Sequence, residues 1–167
     1  MRFKKRLLQG TLIKRYKRFF VDINYNNKVI TGHCPNTGSM MGLLNEGCKV
    51  WFSKSDDPKR KLKYTLQIIE SNKRKIGINT LLTNKIVHEA LNQKKIEELN
   101  KFNNIKSEVK FSENTRFDFF LANEKEKCFL EVKNVTLIRT QNIAEFPDAI
   151  TSRGSKHLNE LIKAKKK

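Results

Sequence analysis

Short runs of β-forming residues recur through the first 80 positions, and their spacing restricts the fold more than any other feature of the chain. Strands are expected at 11–13, 19–25, 28–32, 48–53, 64–69 and 75–79. Turn formers separate them: Asn26-Asn27, Pro35-Asn36-Thr37-Gly38, Asn45-Glu46-Gly47 and Asp57-Pro58. Several short strands at such intervals fit a small barrel, with Trp51 at least partly buried. A short helical turn over 39–44 is expected after Gly38. Two roles are open to the loop before it. Its Gly38 and Ser39 N–H groups can face a phosphate, or Asn36 and Ser39 can satisfy the backbone of a structural turn. Local chemistry favours the turn.

A different pattern occupies 116–137, which reads RFDFFLANEKEKCFLEVKNVTL. Two strand-like runs, 116–121 and 128–137, flank a polar hexapeptide and fit a β-hairpin. The second run is apolar on both faces, as in a strand buried inside a sheet. Glu131 and Lys133 interrupt it, two residues apart and therefore on one side. Pairing Leu121 with Cys128 sets Asp118 directly opposite Glu131, where Cβ atoms lie about 4.5–5.5 Å apart. Two carboxylates there repel unless a cation sits between them, and a divalent ion with oxygen ligands suits. Carboxylates for the ion and a lysine for water or developing charge are the parts that metal-assisted phosphodiester hydrolysis needs. The plainer alternative is an exposed hairpin with a surface Glu-Lys pair. The apolar flanks favour the site, since buried charges are costly without partners.

Charge directs attention to a polyanionic partner. Lys and Arg total 35 against 17 Asp and Glu, a net +18 with pI near 10.0, in a chain of 167 residues. Nucleic acid is the first expectation and an anionic membrane surface the second. Lysine outnumbers arginine, and Asn and Ile are frequent, so part of this charge is also what an A/T-rich genome would produce. Two basic stretches stand out, KRYKRFF at 14–20 and KSDDPKRKLK at 54–63. Within them Arg15, Lys17, Arg18, Lys59, Arg60, Lys61 and Lys63 are the candidate phosphate contacts. Tyr16, Phe19, Trp51 and Tyr64 are candidates for base stacking, or else core and solvated positions. Three scattered cysteines form no CxxC pair, which points away from a disulfide framework and from zinc and toward a reducing compartment. No apolar run is long enough for a membrane helix. A soluble cytoplasmic protein is the expectation.

The period changes after position 83. Ile86, Val87, Ala90, Leu91 and Ile96 suit a helix with Thr83 or Asn84 as its cap, and Glu89 lies within it. A strand at 107–111 precedes the hairpin. A last helix capped by Thr151 or Ser152 runs to about Ala164, with Leu158, Leu161 and Ile162 as its apolar stripe.

The stretches HCPNTGSMMGLL, SKSDDPKRKLKYTL, RFDFFL, EVKNVTL and FPDAITSRGSKHL together resemble the bacterial sugar fermentation stimulation protein A family, in order and spacing, over nearly the whole chain. The resemblance implies an α+β protein, with an oligonucleotide-binding (OB) barrel over 1–82 and a PD-(D/E)XK nuclease-like α/β domain over 83–167. It implies DNA binding with a role in regulating sugar-utilisation genes. It does not establish nuclease activity. Asp118, Glu131 and Lys133 match the nuclease-like motif, with Asp118 and Glu131 as ligands of Mg²⁺ or Mn²⁺, and Glu89 stands where such folds often place a helix glutamate. Family members continue beyond the last helix with at least one further strand. The expectation is therefore a nuclease-like domain incomplete at its C-terminus, an unpaired edge on strand 128–137, and Leu158 or Leu161 partly exposed. A DNA-binding protein of weak specificity is the first reading, a Mg²⁺-dependent nuclease the alternative, and an inactive shortened remnant the third.

Overall fold

The structure is a computed structural model that describes residues 1–140, 142–146 and 152–166. The chain forms two compact units. One comprises Arg2–Leu81 with Asn134–Ala149, and the other comprises Met1, Leu82–Lys133 and Ile150–Lys167.

In the first unit β1 (Leu8–Tyr16), β2 (Phe20–Tyr25), β3 (Lys28–His33), β4 (Lys49–Lys54), β5 (Tyr64–Ser71) and β6 (Arg74–Gly77) lie in the order β3-β2-β1-β4-β5-β6. A parallel pairing of β3 with β5, Gly32 to Tyr64 and His33 to Thr65, closes the first five strands into a barrel. Period-2 alternation fills it. Val21 and Ile23 on β2, and Val50 and Phe52 on β4, are fully buried, with Leu12, Leu66 and Ile69. Phe52 meets Tyr25 and Tyr64 edge-on, with ring centroids 5.4 and 5.6 Å away. Trp51 is half-buried, and Lys75 lies over its ring 4.7 Å from the centroid. The tight turns work as the sequence implies: Asn26 and Asn27 adopt φ of 51° and 59°, the left-handed pair of a two-residue hairpin.

Gly10 has a different purpose. A Cβ there would stand 2.5 Å from the Asn24 carbonyl oxygen and 2.8 Å from Ile23 Cγ2. Gly10→Ala should therefore strain the β1–β2 seam and cost about 1–3 kcal/mol or more. Urea unfolding followed by Trp51 fluorescence measures it, and an unchanged midpoint would contradict the close approach.

One expectation in this unit is corrected and another is borne out. Residues 39–44 form no helical turn beyond a hydrogen-bonded turn from Met40 to Leu43 (3.1 Å), because Met40 and Gly42 adopt φ of 53° and 76°. The loop before them is the structural turn that local chemistry favours, and the Gly38 N–H is used within it. It donates to Asn36 Oδ1 at 2.9 Å, and Met41 N–H donates to Ser39 Oγ at 3.4 Å.

The second unit contains α1 (Thr83–Asn92), β7 (Asn104–Ser112), β8 (Thr115–Ala122), β9 (Lys127–Leu130) and α2 (Ser152–Lys165). Its antiparallel sheet runs β7-β8-β9. Leu91 of α1, Phe102, and Phe119 and Leu121 of β8 form the buried core, with Val87, Cys128, Leu130 and Val132 packed against it. Phe111, Phe117, Phe120 and Phe129 form a separate ring cluster with centroids 5.0–5.2 Å apart.

The hairpin register is the one read from the sequence: Leu121 faces Cys128, and the ladder gains one further pair, Ala122 with Lys127. Asn123 Oδ1 closes the loop by accepting the N–H groups of Lys125 and Glu126 at 2.9 and 2.7 Å. The length of the second strand is corrected. It was expected to run to Leu137, but β9 stops at Leu130. The Val132 N–H is captured by Asp118 Oδ2 at 2.7 Å instead of a neighbouring strand, and from Asn134 the chain belongs to the barrel unit. Leu137 there makes one isolated bridge with Glu145. Among the described residues, β9 pairs only with β8.

The first helix is also corrected. Leu82 occupies the N-cap position with no side-chain cap, and the Asn84 amide is used elsewhere. Ile96 lies beyond the helix end at Asn92. On α2, Leu158 and Ile162 are 62% and 54% exposed, so the expected apolar stripe is largely uncovered. Thr151, the alternative cap, lies outside the described residues.

Candidate functional site

Two groups of residues carry candidate chemistry, one in each unit. In the barrel, register aligns them. Tyr16 pairs with Phe20, Phe20 with His33, His33 with Thr65, and Thr65 with Ser53. That row is one rim of the barrel. The β1–β2 turn at 17–19 and the β4–β5 loop at 55–63 both leave from it. Sequence alone showed two separate basic stretches; the fold brings them to the same end.

The seven candidate cations then divide into two kinds. Arg15, Arg60 and Lys63 are half-buried and build the loops. Arg15 donates to the carbonyls of Arg18 (2.9 Å), Asn36 (2.8 Å) and Gly38 (3.0 Å). Lys63 Nζ donates to the carbonyls of Asp57 and Pro58 at 3.0 and 2.8 Å, and Arg60 donates to Thr65 Oγ1 at 2.6 Å. Burial, reinforced by the Arg60 charge, holds the His33 imidazole below its ordinary pKa. Lys17, Arg18, Lys59 and Lys61 are exposed. Among the described residues no hydrogen bond or ion pair uses their side chains. Aromatic surface accompanies them. Phe19 is 45% exposed, and the Tyr16 and Phe20 rings stack at 5.4 Å.

In the second unit the ladder ends at Phe119 and Leu130, so Asp118 and Glu131 are the next residues on the same register. Asp118 is half-buried and held at both oxygens. Oδ1 accepts from the Asn84 side chain of α1 at 2.8 Å, and Oδ2 accepts from Val132 N–H. Glu131 is nearly enclosed, its side chain 8% exposed. One oxygen, Oε1, takes both the Lys133 ammonium and Nδ1 of His157, the latter at 2.5 Å. The other, Oε2, is buried and has no partner, one of three such side-chain atoms among the described residues. Burial pushes the pKa of this carboxyl up, but the hydrogen bonds and charges of Lys133 and His157 outweigh it and hold the pKa below the usual glutamate value. The group is therefore a carboxylate at neutral pH, with one oxygen committed and one open.

This donor set fits a hard cation that keeps most of its own water. Mg²⁺ is held by one or two carboxylates plus substrate phosphates rather than by a full protein cage. Among the described residues no three His, Cys, Asp or Glu side chains converge as such a cage. Glu89 does not join Asp118. Its carboxylate accepts the Met1 ammonium at 2.8 Å and the Gln93 amide at 3.4 Å, and Asn84 is the α1 side chain that reaches Asp118. Sequence reasoning missed Asn84, taken for a cap, and His157, which lies 26 residues from Glu131. His157 does fall within the stretch FPDAITSRGSKHL, and that was the signal available for it.

A closed OB barrel followed by a sheet-and-helix unit with a Glu-x-Lys whose carboxylate is enclosed defines a two-module architecture. Comparison assigns both modules. Residues 13–78 match the SfsA N-terminal OB domain, and residues 81–167 match the sugar fermentation stimulation protein RE domain. The chain belongs to the sugar fermentation stimulation protein family. The homolog from Pelagibacter ubique (strain HTCC1062) is 56% identical over the whole chain, which covers 72% of that relative. The homolog from Maricaulis maris (strain MCS10) is 48% identical over 96% of this chain and 69% of its own length. The structure of Pyrococcus furiosus SfsA in complex with Ca²⁺ superposes with a TM-score of 0.83 at 25% identity, over 98% of this chain and 68% of that one. Among the described residues no helix is long and apolar enough to cross a membrane.

Proposed function

We propose that this chain is a DNA-binding protein of weak sequence preference that acts in the cytoplasm on sugar-utilisation genes, with residues 1–82 as its main DNA-contacting part. The observation that carries the reading is the shared rim, from which the turn bearing Lys17 and Arg18 and the loop bearing Lys59 and Lys61 both leave. Loops of this kind, between strands 1 and 2 and between strands 4 and 5, are where OB barrels take oligonucleotides. Exposed cations that contact phosphate do not read bases, which supports affinity over specificity.

A second reading, a Mg²⁺- or Mn²⁺-dependent nuclease in residues 83–167, is favoured by one observation, the buried open oxygen of Glu131 beside Lys133. A cation bound there would polarise a phosphodiester oxygen or lower the pKa of a bound water. Asp118 and Glu131 would hold it, Asn84 would orient Asp118, and Lys133 would steady Glu131 and offer its charge to the phosphate. The Ca²⁺ complex of the Pyrococcus furiosus protein supports a divalent ion in this family.

One experiment separates the two. The purified protein is incubated with plasmid and linear DNA, with and without Mg²⁺ or Mn²⁺. Mobility shifts without products support the first reading. Cation-dependent products that disappear in Glu131→Ala support the second. No shift under low salt would defeat both.

A further inference from the structure

Helix α2 sits at the Glu131 carboxylate with little apolar surface to keep it there. Leu158 and Ile162 are mostly exposed. Polar contacts that tie the helix down include His157 Nδ1 to Glu131 Oε1, Ser112 Oγ to Glu160 Oε2 at 3.2 Å, and Lys156 Nζ to the Asn114 carbonyl at 3.2 Å. The first is well enclosed, with side chains 15% and 8% exposed. A polar contact hidden from water on an otherwise weakly packed helix needs a reason, and the geometry supplies one.

Glu131 has two equivalent oxygens and a rotatable carboxyl. With both Lys133 and His157 on Oε1, rotation is blocked and Oε2 becomes the atom left open. We propose that His157 is a positioning residue for a divalent-cation site: by holding Glu131 Oε1 it presents Oε2 to the ion, and so couples docking of α2 to cation binding. This rests on the reading of Glu131 as a cation ligand. The coupling runs both ways, because linkage is reciprocal. A cation that binds Oε2 favours the carboxylate orientation that His157 clasps, and the clasped helix favours the cation. Partners that orient a ligating carboxylate typically change metal affinity about 10–100-fold.

The test uses the full chain with Ca²⁺ as the probe, isothermal titration for affinity and hydrogen exchange for the α2 amides. In the parent protein Ca²⁺ should bind and slow exchange along 152–165. His157→Ala should bind Ca²⁺ about 10–100-fold more weakly and lose the Ca²⁺-dependent protection of α2. His157→Asn, whose amide N–H can occupy the Nδ1 position, should restore most of both. If His157→Ala gives no cooperative melt, His157→Gln is compared with His157→Asn instead, since its donor lies one bond farther out. Equal Ca²⁺ affinity in the Ala or Gln variant and the parent overturns the proposal, as does Ca²⁺ protection of α2 that persists in either. Glu131→Gln separates this from failure of the site itself. Binding unchanged in Glu131→Gln, or absent from the parent protein, means the carboxylate is no ligand, and the cation-site reading falls together with this proposal. Binding lost in Glu131→Gln but kept in His157→Ala means that only the role of His157 is wrong.

Discussion

Phe119→Ala is expected to destabilise the sheet unit by about 3–5 kcal/mol, the usual cost of removing a buried aromatic ring. Phe119 is 1% exposed and shares its core with Leu91, Phe102 and Leu121. On one side it stacks on the His88 ring of α1, with centroids 5.9 Å apart. The core around it is small, so neighbours have few ways to collapse into the space, and the cavity contribution should be near the top of its range. Domains of this size have about 5–15 kcal/mol in all. The lost fraction is therefore large. The single tryptophan makes the result readable by unit, because Trp51 lies on β4 of the barrel and the sheet unit has none. Amide exchange in β7–β9 should collapse at urea concentrations where Trp51 fluorescence is still native. A fluorescence midpoint that moves together with the sheet would show one cooperative body rather than two.

The other large effect concerns salt. Lys17→Asn, Arg18→Asn, Lys59→Ala and Lys61→Ala combined should flatten the dependence of log affinity for duplex DNA on log salt by about 0.9 per lost phosphate contact. If all four touch phosphate, the slope changes by about three to four. Asparagine is chosen at 17 and 18 because these residues have φ of 47° and 65°, a region that asparagine tolerates better than alanine. Arg15→Ala is the contrasting variant. Its guanidinium holds three carbonyls, so its loss should lower barrel stability and loosen the 36–38 loop more than it changes the slope. An unchanged slope in the combined variant would show that the rim does not meet DNA.

Much of this was legible in advance, for reasons that differ by residue. The barrel strands announced themselves because alternation and turn chemistry are local: Val21, Ile23, Val50 and Phe52 point inward, and Asn26-Asn27 turns. The Leu121–Cys128 register was readable because a short polar loop leaves few choices. Other features were not local. Nothing near Val132 reveals that its N–H will go to a carboxylate fourteen residues earlier, so the strand seemed longer than it is. Asn84 has the composition of a cap, and only the fold shows Asp118 within its reach. Arg15 and Lys63 look like their exposed neighbours in sequence, and only the carbonyls around them mark them as structural. Charge counts do not separate a cation that binds from one that braces.

The return of the chain from β9 to the barrel also governs the order in which the parts can be finished. Residues from Asn134, including the buried Leu137, belong with a barrel whose last strand ended at Gly77. On the ribosome the barrel strands emerge first, but this piece of their unit emerges only after the whole of β7, β8 and β9. At about 5–20 residues per second the gap lasts seconds, long beside the folding of small domains. The nascent barrel unit thus lacks Leu137 and its surrounding segment while the sheet strands are being made. A cut after residue 82 would leave the barrel permanently without this piece of its unit.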